Sequence, residues 1–264
     1  MANTVYENFV LANEIEDQYN SYLDLLRFAV VDNSLTGTAG MKKIINQYRA
    51  TNGTEKVAMG AGNTKSIEVG YEDAEYVIQC AQNNFKYFDE QAMKDPTAVQ
   101  TGIRHMAVDM FNTVNADIYA EFSKADTDHT ITTGFGFDSF ADAVATLNVE
   151  GMEDATGAEV FAWVNPKDMA ALRKALKDDL KYVEAFVRTG YVGTVAGVNL
   201  YTKKDATQGT IVGGTKGAVT VFNKKGTEVA QERDENIRQN AVYSRKYYVA
   251  AITDFGKAFK ITNA

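Results

Sequence analysis

The chain has 264 residues, 45% of them apolar and 23% charged, and a net charge of −8. That length and balance suit one large or two smaller globular domains with a substantial core, and no run of about 18 apolar residues exists to cross a membrane as a helix. The amino terminus, MANTVYENFVLANEIEDQ, has no basic region before an apolar core and does not read as a secretory signal. The single cysteine, Cys80, excludes an intrachain disulfide framework and fits a reducing cytoplasm. Its place in the alternating run Tyr76, Ile78, Cys80 predicts a buried packing role.

Charge is unevenly spread. Residues 1–35 carry one basic and six acidic side chains, and residues 36–94 carry seven of each. Residues 95–165 carry two basic against twelve acidic, whereas residues 166–264 carry seventeen against ten. Acidic and basic regions on one chain suit self-complementary assembly, although the same charges also read as solvated faces. No basic concentration of the kind that grips phosphates stands out.

Residues 1–35 have helical spacing at Leu11, Ile15, Tyr19, Tyr22 and Leu26 but few other apolar anchors. They read as an arm that cannot bury itself and docks elsewhere. Residues 39–50 read as a short helix. Lys56–Met59 and Ser66–Tyr71 read as strands flanking the glycine-rich turn GAGNT. EYVIQCAQ and FKYFDE read as a second strand pair, turning at Asn83-Asn84. Asp95-Pro96 then opens the strongest helix, with a natural N-cap and a proline at the first helical position. Its apolar residues recur at Val99, Ile103, Met106, Met110, Val114, Ile118 and Phe122, and Gly102 is a mild internal weakness. Beyond it come a strand or loop (His129–Phe135), a helix (Ser139–Leu147) and a strand (Ala158–Val164). A helix capped by Asn165-Pro166 follows, then strands at Tyr191–Val195 and Val198–Tyr201. This order predicts an α+β module inserted between the long helix and the final strands. The last stretch reads as a strand (Ala218–Phe222), a turn at Asn223–Gly226, and a charged segment. A long strand reaching Ile252, a tight Asp254–Gly256 turn and a closing strand, Ala258–Ile261, complete it.

Catalytic signals are missing. G-x-S-x-G, H-E-x-x-H, C-x-x-C and G-x-x-x-x-G-K-[ST] do not occur. His105 lies beside the apolar stripe of the long helix. His129 lies in DTDHTIT, where Ile131 and Phe137 stand at the glycine and glutamate positions of a calcium loop. Gly60 and Gly62 precede a strand pattern rather than a helix, which favours a hairpin tip over a phosphate loop. Trp163 reads as core. The residues indicate no catalytic, cofactor-binding or metal site.

Gly213–Thr262, GGTKGAVTVFNKKGTEVAQERDENIRQNAVYSRKYYVAAITDFGKAFKIT, resembles the carboxy-terminal part of tailed-bacteriophage major capsid proteins with the Hong Kong 97-like fold. FAWVNPKDMAALRK (161–174) and GYVGTVAGVNLYTKKDA (190–206) resemble that family's strand, Asn-Pro helix start and later strand pair, in the family's order. The resemblance covers essentially the whole chain. It implies an α+β fold with an N-terminal arm (1–35) and an E-loop hairpin with the start of the peripheral domain (36–94). The spine helix lies in the peripheral domain (95–134), followed by an axial domain (135–212) and the peripheral carboxy-terminal strands (213–264). It also implies a non-enzymatic subunit that forms pentamers and hexamers of an icosahedral shell around double-stranded DNA. The shell would be assembled in the bacterial host cytoplasm, with portal, scaffolding and decoration proteins as further partners and no membrane. With no long coiled-coil segment visible ahead of the arm, scaffolding is expected to be separate or removed before maturation. Inter-subunit contacts are expected at Leu11, Ile15, Tyr19, Tyr22, Lys56, Met59, Gly60, Gly62, Lys65 and Ile67. An inner-wall acidic face is expected at Asp109, Asp117 and Glu121. The alternatives are an encapsulin-like shell around protein cargo, or a soluble α+β enzyme without a recognisable motif.

Overall fold

The computed structural model describes residues 6–7, 24–50, 53–125, 128–147, 159–177 and 192–263. Asp95 caps the long helix α2 (Pro96–Phe122) by accepting from the Thr97 amide at 3.1 Å, with Pro96 where no amide is needed. α1 (Asp89–Lys94) precedes it. Met106, Met110, Val114, Ile118 and Phe122, four apart, form the buried stripe of α2. This stripe lies on a sheet in the order β1 (Tyr6–Glu7), β11 (Val219–Asp234), β12 (Gln239–Ile252) and β5 (Gln79–Phe88), with β2 (Val30–Asp32) running parallel to β11. Gly102 has a purpose here. A Cβ on it would stand 2.5 Å from the Phe85 ring of β5, so its absence lets helix and sheet close up.

A second sheet runs in the order β6 (Asp128–Ile131), β13 (Ala258–Asn263), β10 (Thr210–Thr215), β7 (Val160–Val164), β9 (Val198–Thr202) and β8 (Thr194–Val195). Helices α3 (Phe137–Ala145) and α4 (Pro166–Ala175) supply Phe140, Ala143, Met169 and Leu172 to its core, against Ile211, Phe259 and Ile261. Asn165 caps α4 by accepting from the Lys167 amide at 3.0 Å while its own amide reaches the Ala206 carbonyl at 2.7 Å. Strands β6 and β13 come from outside the 135–212 segment, so the sheet of the inserted module is completed by chain on either side of it.

The core that joins the sheets centres on Trp163, fully buried and edge-on to Phe28 at 5.5 Å and Phe122 at 5.0 Å. Val219, Val221 and Ile252 close it from the first sheet. Each such buried large side chain contributes about 1.5–3 kcal/mol.

Several sequence expectations change. Residues 39–50 form no helix: β3 (Lys42–Ala50) pairs with β4 (Val69–Val77) as a two-stranded ribbon, so of the two strands expected to flank the glycine-rich turn only 69–71 joins the ladder, and Lys56–Met59 lies outside it. Asn83-Asn84 makes no turn, because β5 runs straight through and pairs residue by residue with β12. Asn223–Gly226 is a register irregularity inside the continuous strand β11 rather than its end. Cys80 is exposed, since its side of β5 faces away from the core. The arm is not wholly detached. Leu25, Phe28 and Ala29 are buried in the central core, and the Leu25 amide donates to Asn115 of α2 at 3.1 Å.

Candidate functional site

The chain from 53 to 68 projects from the β3–β4 ribbon and is closed by its own polar groups. Glu55 accepts from the Thr64 amide and, at 3.0 Å, from its hydroxyl. The amide hydrogen bond from Thr64 holds the Glu55 carboxyl below the usual glutamate range. Asn63 donates to the Gly53 and Lys65 carbonyls at 3.3 and 2.7 Å. At the tip the Ala61 amide donates to Ala58 at 3.0 Å, around Gly60 at φ +84°. Lys56, Met59, Gly60, Gly62, Lys65 and Ile67 are all exposed, Met59 completely and Ile67 by 60%. Val57, which sequence reasoning did not single out, is also exposed, by 51%. Leu11, Ile15, Tyr19 and Tyr22 lie outside the described residues.

A groove of about 680 Å³ runs between α2, the β4–β5 junction and β12. It gathers Asp109, Asp117 and Glu121, at intervals of eight and four along the helix, and Glu75 from β4. Asp109 is exposed and accepts from the Asn83 amide at 3.3 Å. Asp117, also exposed, accepts from the Tyr248 phenol at 2.5 Å. Glu75 pairs with Lys42 at 2.5 Å. Glu121 does not belong to an open acidic face. It is 9% exposed, accepts from the Ile252 amide at 3.3 Å and pairs with Lys124 at 2.5 Å. Its role is to satisfy backbone at the end of β12. Burial, and then the Glu121 charge, push the Tyr76 phenol up from its ordinary value.

Glu75 escaped the sequence reading because it stands on a strand distant from the helix. The ion pairs at the far end of the first sheet escaped it too. There Asp89 accepts from Arg233 and Asn240 at 2.9 and 2.7 Å, and Glu90 pairs with Arg238 at 2.7 Å. Their one visible signal was the clustering of both signs in FDE and ERDENIRQ.

His105 is exposed, and His129 stands 3.7 Å from Asp142. Among the described residues no three His, Cys, Asp or Glu side chains are grouped to hold a metal, and no helix is long and apolar enough to cross a membrane.

These features are a projecting hairpin with bare apolar side chains, a long helix on an antiparallel sheet, and a second sheet joined to it through one core. The overall fold recurs in phage capsid structures. The chain superposes with a TM-score of 0.65 on the mature capsid subunit of bacteriophage PhiM1, at 11% identity over 92% of this chain and 88% of that one. Against Mycobacterium phage Che8 the values are 0.62 and 16%, over 99% and 93%. The fold is therefore the Hong Kong 97-like α+β fold of phage capsid structures. No family model matches the sequence. The chain is 26% identical over 263 residues to the major capsid protein of Staphylococcus phage phiMR11, covering 96% of this chain and 92% of that protein. The chain thus has the fold of phage capsid subunits and is similar along nearly its whole length to a phage major capsid protein.

Proposed function

We propose that this subunit assembles through pentamers and hexamers into an icosahedral shell enclosing double-stranded DNA, in the host cytoplasm, alongside portal, scaffolding and decoration proteins. The observation that carries this reading is the hairpin at 53–68. It exposes Val57, Met59 and Ile67, which nothing in its own chain covers among the described residues. Such side chains gain burial only against another subunit. Many weak contacts of this kind per subunit make closure strongly cooperative. The hairpin acts as the E-loop, residues before Asp24 as the neighbour-docking part of the arm, and residues 135–212 as the axial domain around the five-fold and six-fold axes. Binding of protein cargo in place of DNA is the reading of an encapsulin-like shell, and the full-length likeness to a phage capsid protein does not favour it.

Negative-stain imaging of the purified chain tests the proposal, with shells or capsomers as the expected result. Met59→Asp should leave the subunit folded, with stability within about 0.5 kcal/mol because the site is exposed, yet prevent closed shells. Deleting residues 1–23 should do the same. The burial of Leu25 and Phe28 sets that boundary, because a cut at residue 30 would open the core. Normal particles from both variants, or residues 135–212 at the periphery of capsomers, would sink this assignment.

A further inference from the structure

A pocket of about 400 Å³ opens at the seam between the two sheets, away from both the hairpin and the acidic groove. Three cationic residues line it: Arg27 from the turn before β2, Lys216 from the β10–β11 turn, and Lys257 before β13. Phe28 and Tyr201 also line it, their rings 4.9 Å apart and edge-on, with the buried Phe161 ring 4.5 Å from Phe28 behind them.

The carboxylates nearby are already engaged. Glu159, in the pocket wall, accepts from the Asn199 amide at 2.8 Å and from the Tyr201 phenol at 3.1 Å. Asp254 accepts from Lys257 at 3.1 Å. Arg27 and Lys216 form no ion pair among the described residues. Three cations against the Glu159 and Asp254 carboxylates leave this mouth with a surplus positive charge, carried by Arg27 and Lys216, which favours an anion there. A guanidinium fork beside two ammonium groups matches the oxygens of a phosphate. Rings beside such a cluster add a face on which a planar heterocycle can stack.

We propose that this pocket is a nucleoside-phosphate site, with Arg27, Lys216 and Lys257 on the phosphate and the Tyr201 ring, backed by the buried Phe28, against the base. The same chemistry is offered by a free nucleotide and by an unstacked unit of a single strand. A duplex is shut out, because its bases are stacked and paired. The inference stands apart from the shell reading, since it concerns the dispersed subunit and needs no assembly.

The test uses the dispersed full chain at low salt. ADP and pyrophosphate are titrated by calorimetry, and a fluorescein-labelled oligothymidylate of about ten nucleotides is followed by anisotropy. ADP binding alone identifies the free nucleotide as the source, and oligothymidylate binding identifies the single strand. Arg27→Glu and Lys216→Glu should each weaken binding by about tenfold or more. Both positions are exposed, so neither change threatens the fold. Lys86→Glu, an exposed charge reversal on β5, should leave binding unchanged. Tyr201→Phe should preserve ring stacking and bind within about threefold of the parent, whereas Tyr201→Ala should weaken ADP and spare pyrophosphate. Absence of binding by both ADP and the oligothymidylate would overturn the proposal. So would pyrophosphate binding as tight as ADP, or affinity unchanged by both Arg27→Glu and Lys216→Glu.

Discussion

The Tyr248 phenol of β12 donates to the Asp117 carboxylate of the long helix at 2.5 Å, across the floor of the acidic groove. Tyr248 is 4% exposed, so its hydroxyl is delivered to the groove by a ring otherwise held in the core. A hydrogen bond to a charged acceptor is stronger than one between neutral groups. Tyr248→Phe keeps the ring and removes that bond, leaving Asp117 free to rehydrate because it is exposed. The expected cost is about 1–2 kcal/mol in urea unfolding of the dispersed subunit, with an unchanged m-value.

Glu228 supplies a pH dependence. Burial opposes its ionisation, but hydrogen bonds from Lys225 and Arg245, the latter at 3.0 Å, outweigh burial and hold its carboxyl below the ordinary value of 4.5. A carboxyl with a lowered folded pKa binds its proton more readily when unfolded. It therefore stabilises the fold above about pH 4.5, and that contribution is lost as the pH falls through the lowered value. Glu228→Gln should be less stable than the parent at pH 7, with the difference shrinking below pH 4.5 in thermal melts. A constant difference from pH 7 to pH 3 would contradict this account.

How much was legible in the sequence depended on whether the signal was local. The long helix announced itself because Asp95-Pro96 and the fourfold-spaced stripe are both short-range codes. The same holds for Asn165-Pro166 and α4. Residues 42–50 misled because Ile44, Ile45 and Tyr48 have helical spacing, while their strand pairing is set by a partner some thirty residues further along the chain. Asn83 looked like a turn residue, yet its amide donates to the Met106 carbonyl at 2.8 Å and tacks β5 to the helix. Leu25 and Phe28 looked like parts of a loose arm because their neighbours in the core, Ile118 and Trp163, lie about a hundred residues or more away in sequence. The carboxylates of the long helix were visible as a row. The burial of Glu121, and the presence of Glu75 opposite, required the tertiary fold.

Gly213 makes a close contact that the sequence could not price. It sits in β10 between β7 and β13, paired with Ala162 and Phe259. A Cβ there would stand 2.4 Å from the Phe161 carbonyl oxygen and 2.6 Å from the Phe259 ring. The backbone oxygen cannot swing aside as a side chain can. Gly213→Ala should therefore destabilise by about 1–3 kcal/mol, against its favourable effect on unfolded-chain entropy. Chemical denaturation of the dispersed subunit measures this, and a neutral or stabilised variant would show that β10 shifts to make room.

The groove also bears on how packaged DNA is treated. Asp109 and Asp117 are exposed on the long helix, Glu75 faces them from β4, and Arg104 is the helix's single basic residue. If this face lies toward the genome, as the shell reading has it, its charge repels phosphate and the wall does not adhere to DNA. Removing Glu121 from the set leaves that expectation on Asp109, Asp117 and Glu75. Dispersed subunits should then bind a blunt duplex no more tightly than a neutral control protein at low salt, where phosphate attraction is strongest. Asp109→Lys together with Asp117→Lys should convert the face to one that retains duplex DNA, with an affinity that falls as salt rises. Salt-sensitive duplex binding by the unaltered subunit would mean instead that basic residues of the carboxy-terminal half face the genome.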